Sequence, residues 1–326
     1  MKIADQHHSI YRCRLISALG EMRLRKRYLD WIVLAGLKTF IIAGGILPYK
    51  MGVVIGGLTG RLAYYLLIRH KKKTIENLRF AFRGEMDEEE IGSTATACFE
   101  NLGRSLFELL CIRWRGLNNI QKSITVEGEV YLKEALNLGK GLILITAHIG
   151  NWELLGMLLA QMGYKLSVIA APSKNIQLGE MTNAYRSRFN IETIIRGEHS
   201  SARKIIRSLR ENRVLGILLD QDIESDGIYV DFFGKKAYTP SGITSLALRF
   251  DIPILMIFMV REKGYRHSIV VIKPEGLKRG EDIKSDIIHN TAIFTAIIES
   301  FIRKYPGQWV WMHDRWRRGL MTAKDI

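Results

Sequence analysis

Hydrophobic and polar positions divide the chain into two unlike parts. From Trp31 to Ile68 the sequence is almost wholly apolar and glycine-rich, interrupted by Lys38, Lys50 and Arg61, with Pro48 near its middle. The pattern predicts two apolar helices, 31–46 and 51–68, flanked by the basic runs 23–27 and 69–73. No window there reaches the roughly eighteen uncharged residues of a clean membrane span. The segment therefore reads as a hairpin, or as helices lying in a membrane face; the alternative is a pair of helices buried against a globular domain. Residues 69–82 continue as a basic amphipathic helix. Another helix opens at 86–90 with Asp87 as its cap and runs through Leu110.

Beyond residue 121 the period changes. Short apolar, β-branched runs at 124–127, 141–147, 165–170, 192–195, 214–219, 228–233, 254–260 and 268–272 read as strands. Between and after them, 131–138, 151–162, 177–188, 200–209, 242–250 and 282–304 read as helices. This alternation predicts an α/β fold with a mixed central sheet flanked by helices. The expected organisation is a basic, apolar, membrane-associating region over 1–68 and a second domain over 69–326. That domain comprises a helical lead-in, 69–120, and an α/β core, 121–326.

Composition sharpens this picture in three ways. The formal charge is +15, from 48 Lys and Arg against 33 Asp and Glu, which suits an anionic lipid, an acidic protein or nucleic acid. Mean hydropathy is +0.01, high for so charged a chain, so the apolar residues are concentrated. Cys13, Cys98 and Cys111 form no metal or redox spacing and no disulfide framework, which suits a reducing compartment. There is no P-loop and no dinucleotide-type glycine fingerprint. Basic residues near Trp309, Trp311 and Trp316 come without a recognition helix, zinc finger or stacking motif, so a membrane interface fits them at least as well as nucleic acid.

Candidate chemistry gathers where strands end. The strand 141–147 runs into His148-Ile-Gly-Asn151, and Asn151 caps a helix with Glu153 in its first turn. Ligands of open α/β sheets bind at that edge. On one continuous helix, residues five apart do not meet. With His148 in the turn, the imidazole can fold back so that Glu153 holds one ring nitrogen protonated while the other accepts a proton from a hydroxyl. No serine or cysteine lies in the motif, which favours direct attack by a substrate hydroxyl; the competing reading is an ordinary turn histidine beside a helix-dipole carboxylate. Asp220 and Asp222 end the strand 214–219 and suit a structural or positioning role better than a metal site. Arg186 and Arg188 close a helix, where a guanidinium suits a phosphate. Thr239, in a turn-rich segment before a helix, either faces an anion or simply belongs to a well-capped connection.

Taken in order, these blocks resemble the bacterial lipid A biosynthesis acyltransferases, the lauroyl/myristoyl enzymes of the lysophospholipid acyltransferase superfamily. The resemblance rests on Lys73-Thr-Ile-Glu-Asn-Leu-Arg-Phe-Ala-Phe82, the His148-x4-Glu153 pair, Asp220-Gln-Asp222, Phe232-Phe-Gly234 with Thr239 and Gly242, and Trp311-Met-His-Asp-Arg-Trp316. It implies that His148 is the general base on an acceptor hydroxyl and Glu153 its orienting carboxylate, with no cofactor and no metal. It further implies an acyl carrier protein thioester as donor, a phosphorylated glycolipid acceptor and the cytoplasmic face of a bacterial inner membrane. Gly150 and Asn151 would belong to the catalytic loop; Asp220 and an arginine, Arg188 before Arg186, would support it. Other expectations are a phosphatidylinositol mannoside or lysophospholipid acceptor and, in a different class, a non-catalytic membrane or nucleic-acid-binding protein.

Overall fold

A computed structural model describes residues 47–322 apart from 118–119, 121–123, 174–175 and 264. The predicted helix 31–46, the basic run 23–27 and Cys13 lie outside the described residues. The second apolar helix is α1, Tyr49–Leu66, followed by α2, Ile68–Ala81, after a bend of 93° at Leu67. Among the described residues no single helix is long and apolar enough to cross a membrane. Helix α3, Glu88–Arg115, starts on a capping box: the Glu90 amide donates to Asp87 Oδ1 at 2.8 Å and the Asp87 amide to Glu90 Oε2 at 2.9 Å.

Helix α1 lies unusually close to α3 because Gly52, Gly56 and Gly60 recur every four residues on its inner face. A Cβ on Gly60 would stand 2.2 Å from the Phe99 carbonyl oxygen, and one on Gly103 of α3 2.1 Å from that of Gly56. Any side chain larger than hydrogen would push the helices apart.

The core is a seven-stranded sheet in the order β1, β9, β8, β2, β5, β3, β4. These strands are β1 Ile124–Glu127, β2 Leu142–Thr146, β3 Leu166–Ala170, β4 Glu192–Ile195, β5 Val214–Leu218, β8 Ile254–Arg261 and β9 His267–Ile272. Strands β8, β2, β5, β3 and β4 are parallel, whereas β9 pairs antiparallel with β8 and carries β1 parallel beside it. Strand β2 shows why it is central: Leu142 and Leu144 enter one apolar cluster, Ile143 and Ile145 the other, so both faces are buried. The crossover helices are α4 Glu129–Asn137, α5 Trp152–Gln161, α6 Ile176–Arg188, α7 Ser201–Arg210 and α8 Gly242–Phe250; α9 Ile283–Lys304 follows β9, and α10 Arg317–Thr322 comes last. The mixed sheet flanked by helices, with the second predicted apolar helix and a basic helix before it, is the fold the alternation predicts. Cys98 and Cys111 are buried and form no disulfide.

Two regions differ from the sequence reading. The strand predicted at 228–233 belongs to a separate hairpin of β6, Gly227–Phe232, and β7, Lys235–Pro240, where a turn-rich connection was expected. Phe233 and Gly234 both adopt positive φ, 57° and 65°, the two-residue hairpin turn that continues the strand twist. The cost of that backbone at Phe233 is offset by burial of its ring against Phe82 and Trp311. The terminal tryptophans, expected at a membrane interface, are instead interior: Trp309, Trp311 and Trp316 are at most 2% exposed.

Candidate active site

The neighbouring strands β2 and β5 are parallel and in register, with Thr146 opposite Leu218. Two residues further on, both chains reach the carboxyl edge of the sheet together, and His148 meets Asp220. His148 Nδ1 stands 2.8 Å from Asp220 Oδ1, and the His148 amide donates to Oδ2 at 2.8 Å. The Trp309 indole donates to that same Oδ2 at 2.6 Å. Burial alone would raise the Asp220 carboxyl; the imidazole and these N–H donors outweigh it and hold the group at about 2. An ionised carboxylate only accepts, so Nδ1 carries a proton, and in the neutral ring the lone pair is then on Nε2. The ring, 22% exposed, stands edge-on to Trp152 at the wall of a cleft of about 950 Å³.

Gly150 fixes the loop. Its φ is +62°, and a Cβ there would lie 1.8 Å from the Met259 carbonyl oxygen. Its amide donates to the Gln308 carbonyl, and the Val310 amide to that of His148, so the segment 308–310 pairs with the histidine turn and delivers Trp309 to Asp220.

Glu153, expected on the imidazole, makes a two-pronged pair with Arg186 instead: Nε to Oε2 at 3.1 Å and Nη2 to Oε1 at 2.5 Å. Both side chains line the cleft with His148. The carboxylate on the histidine is therefore Asp220, because strand register brings it to Nδ1, while Glu153 turns toward α6. Of the two arginines, Arg186 lies at the cleft; Arg188, placed first from the sequence, is exposed and does not line it. Beyond this rim the cleft is apolar, walled by Ile169, Ile205, Ile217 and Leu246, with Arg196 at its edge.

Other predicted residues sit behind the site. Asn151 is buried as the α5 cap: Oδ1 accepts from the Leu154 amide at 3.1 Å, and Nδ2 donates to Glu108 Oε2 at 2.9 Å. Asp222 is bound by Arg318, Nε to Oδ1 at 2.7 Å. Thr239, fully buried, accepts from Arg315 Nη2 at 2.6 Å and does not line the cleft. Among the described residues, no group of three or more His, Cys, Asp and Glu side chains is placed to hold a metal.

Sequence reasoning missed three participants. Trp309 was noticed only as part of a basic end, although the alternation Trp309-Val-Trp311 marks an extended segment with one buried face. His313 lies close behind Asp220, with its Nε2 3.2 Å from the Asp222 carbonyl oxygen, and burial pushes its pKa below the ordinary value. Glu108 of α3 is fully buried and meets Arg261, His267, Tyr49 and Asn151; its position within a long amphipathic helix gave no sign of this.

Comparisons with known proteins agree with the geometry. Residues 18–318 match the family described as bacterial lipid A biosynthesis acyltransferase. The chain is 30% identical over 237 residues to a phosphatidylinositol mannoside acyltransferase of Mycobacterium tuberculosis, covering 70% of this chain and 72% of that one. It is 27% identical over 202 residues to the Mycolicibacterium smegmatis enzyme of the same description, covering 60% of this chain and only 62% of that relative's length. It is 26% identical over 275 residues to the lipid A biosynthesis palmitoleoyltransferase of Escherichia coli, covering 83% and 86%. A match across most of the chain, around a histidine at the carboxyl edge of an α/β sheet, makes the protein an acyltransferase acting on a lipid or glycolipid, a member of the bacterial lipid A biosynthesis acyltransferase family.

Proposed function

We propose that the protein transfers a fatty acyl chain from an acyl carrier protein thioester to a hydroxyl of a phosphorylated glycolipid, a lipid A precursor, at the cytoplasmic face of a bacterial inner membrane. The observation that carries the reading is His148, its Nδ1 proton committed to Asp220 and its ring on the wall of an apolar cleft. His148 Nε2 takes the proton of the acceptor hydroxyl as that oxygen attacks the thioester carbonyl carbon. The tetrahedral oxyanion collapses, the C–S bond breaks, and the thiolate recovers the proton from the imidazolium. Buried Asp220 stabilises that imidazolium without taking its proton, since its own carboxyl ionises at about 2. The apolar walls suit an acyl chain; at the rim Arg186 is paired with Glu153, and Arg196 stands there as a further cation with Asp226 also in the lining.

The mycobacterial relatives favour a second acceptor, a phosphatidylinositol mannoside. Purified full-length protein would be given medium- and long-chain carrier-protein thioesters with a tetraacylated lipid A precursor, or with a phosphatidylinositol mannoside, and products read by mass. One added acyl chain on the lipid A precursor supports the reading. Addition to the mannoside alone moves the acceptor, and no turnover of any thioester by folded protein sinks the mechanism.

A further inference from the structure

A second cavity, about 680 Å³, lies between α1, α3 and the segment 305–308, behind the catalytic loop rather than in front of it. One wall is apolar, from Val53, Val54 and Leu58; the rim carries Arg61, Arg104 and Lys263, with the acid Glu262 beside the lysine. Arg61 and Arg104 share a single carboxylate, Glu100: Arg61 Nε lies 2.6 Å from Oε1 and Arg104 Nη2 2.7 Å from Oε2. Two guanidinium groups on one carboxylate leave a net positive charge and N–H donors to spare. Gly57 makes room for this arrangement, because a Cβ there would meet Arg104 Nε at 2.8 Å.

The apolar wall continues outward as an exposed stripe. Met51, Val54, Leu58, Leu62 and Tyr65, spaced three and four apart, form the outer face of α1, and all are exposed. The inner face is spent on glycine contacts with α3, so this outer face has no described partner. At its end the bend brings Leu66, Leu67 and Ile68, also exposed, next to the basic start of α2, Arg69-His-Lys-Lys72. A stripe of large apolar side chains bordered by cations fits an anionic amphiphile.

We propose that this cavity binds the headgroup of an anionic phospholipid, whose chains lie along the exposed face of α1. The proposal rests on the membrane association proposed above and adds a defined site to it. Charge argues against two other occupants: residues 1–30 carry seven Lys or Arg against three Asp or Glu, and a second copy brings a net +15, so both would meet like charge at the rim.

The test uses the full chain, vesicles of phosphatidylcholine with or without phosphatidylglycerol, and native mass spectrometry of the protein in detergent with added phosphatidylglycerol. The expected result is binding to both vesicles with a preference for the anionic ones, and a one-lipid adduct. The double variant Arg61→Gln/Lys263→Gln loses roughly tenfold of the anionic preference, as two surface charges near lipid should, and loses the adduct. A control of equal charge, Arg203→Gln/Arg210→Gln on the exposed side of α7, keeps both. Equal losses in the two variants would mean diffuse attraction and overturn the site. Equal binding to neutral and anionic vesicles would overturn the headgroup site while leaving membrane association standing. Binding to neither would remove both. A raised KM for carrier-protein thioester in the groove variant, with vesicle binding unchanged, would assign the cavity to the carrier protein instead.

Discussion

Two buried carboxylates in this molecule each hold a histidine, and they do opposite things. Asp220 binds His148 at the carboxyl edge of the sheet, and the ring is left partly open to the cleft. Glu108 binds His267 Nε2 at 2.9 Å, with both side chains fully buried, and adds the Arg261 guanidinium, the Tyr49 hydroxyl and the Asn151 amide. Burial opposes ionisation of Glu108, but the Arg261 and His267 charges and hydrogen bonds hold it well below the usual carboxylate range. In one constellation the ring borders an open cleft; in the other every charge faces inward. The same pair of residue types becomes chemistry or architecture according to whether the histidine can reach a cavity. The inward one also serves the outward one. Through Asn151, and through Asn101 and Ser105 on the Gly150 carbonyl, α3 fixes the loop that carries His148.

The largest effect that separates the two belongs to the open pair. His148→Ala should lower acyl transfer roughly 10²–10⁴-fold, the contribution of a positioned general base, at a stability cost of no more than about 2 kcal/mol from the loss of a partner for buried Asp220. Asp220→Asn should lose activity on a similar scale, because the tautomer that presents Nε2 is no longer enforced. Single-turnover transfer and a melting curve on the same samples check both; an active His148→Ala protein would end the mechanism. Next comes the closed pair. Glu108→Ala strands Arg261 and His267 in the interior and should cost about 3–5 kcal/mol of stability. Denaturant unfolding measures this, and a loss below about 1 kcal/mol would show that the cluster is not a structural unit.

The contrast also explains what could be read from the sequence. The α/β alternation, the strand 141–147 and the cap at Asn151 follow from local period and residue type, and they put His148 at a strand end correctly. The partner of His148 does not follow, because it depends on strand order. Nothing local says that β5 lies beside β2, or that Thr146 stands opposite Leu218; yet that register alone decides between Asp220, seventy-two residues away, and Glu153, five residues away. Which of Arg186 and Arg188 lines the cleft is not local either, since it depends on how α6 is turned toward the site. The terminal tryptophans were misread because basic neighbours suggest a surface. Here one of those neighbours is turned inward as well: Arg315 is fully buried, donates to the Tyr238 carbonyl at 2.5 Å, and is pushed by burial down to about 10.

Acid titration offers a smaller effect with a definite sign. The Asp220 carboxyl is depressed from 3.8 to about 2, so its contribution is present above pH ~3.8 and disappears as pH falls through about 2. Its size is about 2 kcal/mol. Glu108, depressed too, loses its contribution in the same direction. Unfolding free energy should therefore fall between about pH 5 and pH 2, with a shallower fall in Asp220→Asn. Parallel acid limbs in the two proteins would mean that Asp220 is not the titrating partner.

The smallest effect tests the choice of carboxylate most directly. If Glu153 oriented the imidazole, Glu153→Gln would resemble Asp220→Asn, with a collapse in kcat and an altered pH dependence of turnover. The geometry assigns it to Arg186, through a two-pronged contact whose side chains are 20% and 13% exposed. Partial solvent access keeps such a pair modest, so the coupling between Glu153→Gln and Arg186→Gln should be about 1 kcal/mol in stability. In activity the two substitutions should be non-additive: once Arg186 is neutralised, neutralising Glu153 should cost little more, because each acts by holding the other at the cleft wall. Their effect should fall more on KM for the acceptor than on kcat, as expected of residues that shape and charge the rim without handling the proton. Strict additivity, with Glu153→Gln acting through kcat whatever occupies position 186, would return Glu153 to the histidine and reduce the contact with Arg186 to one of several positions available to that side chain.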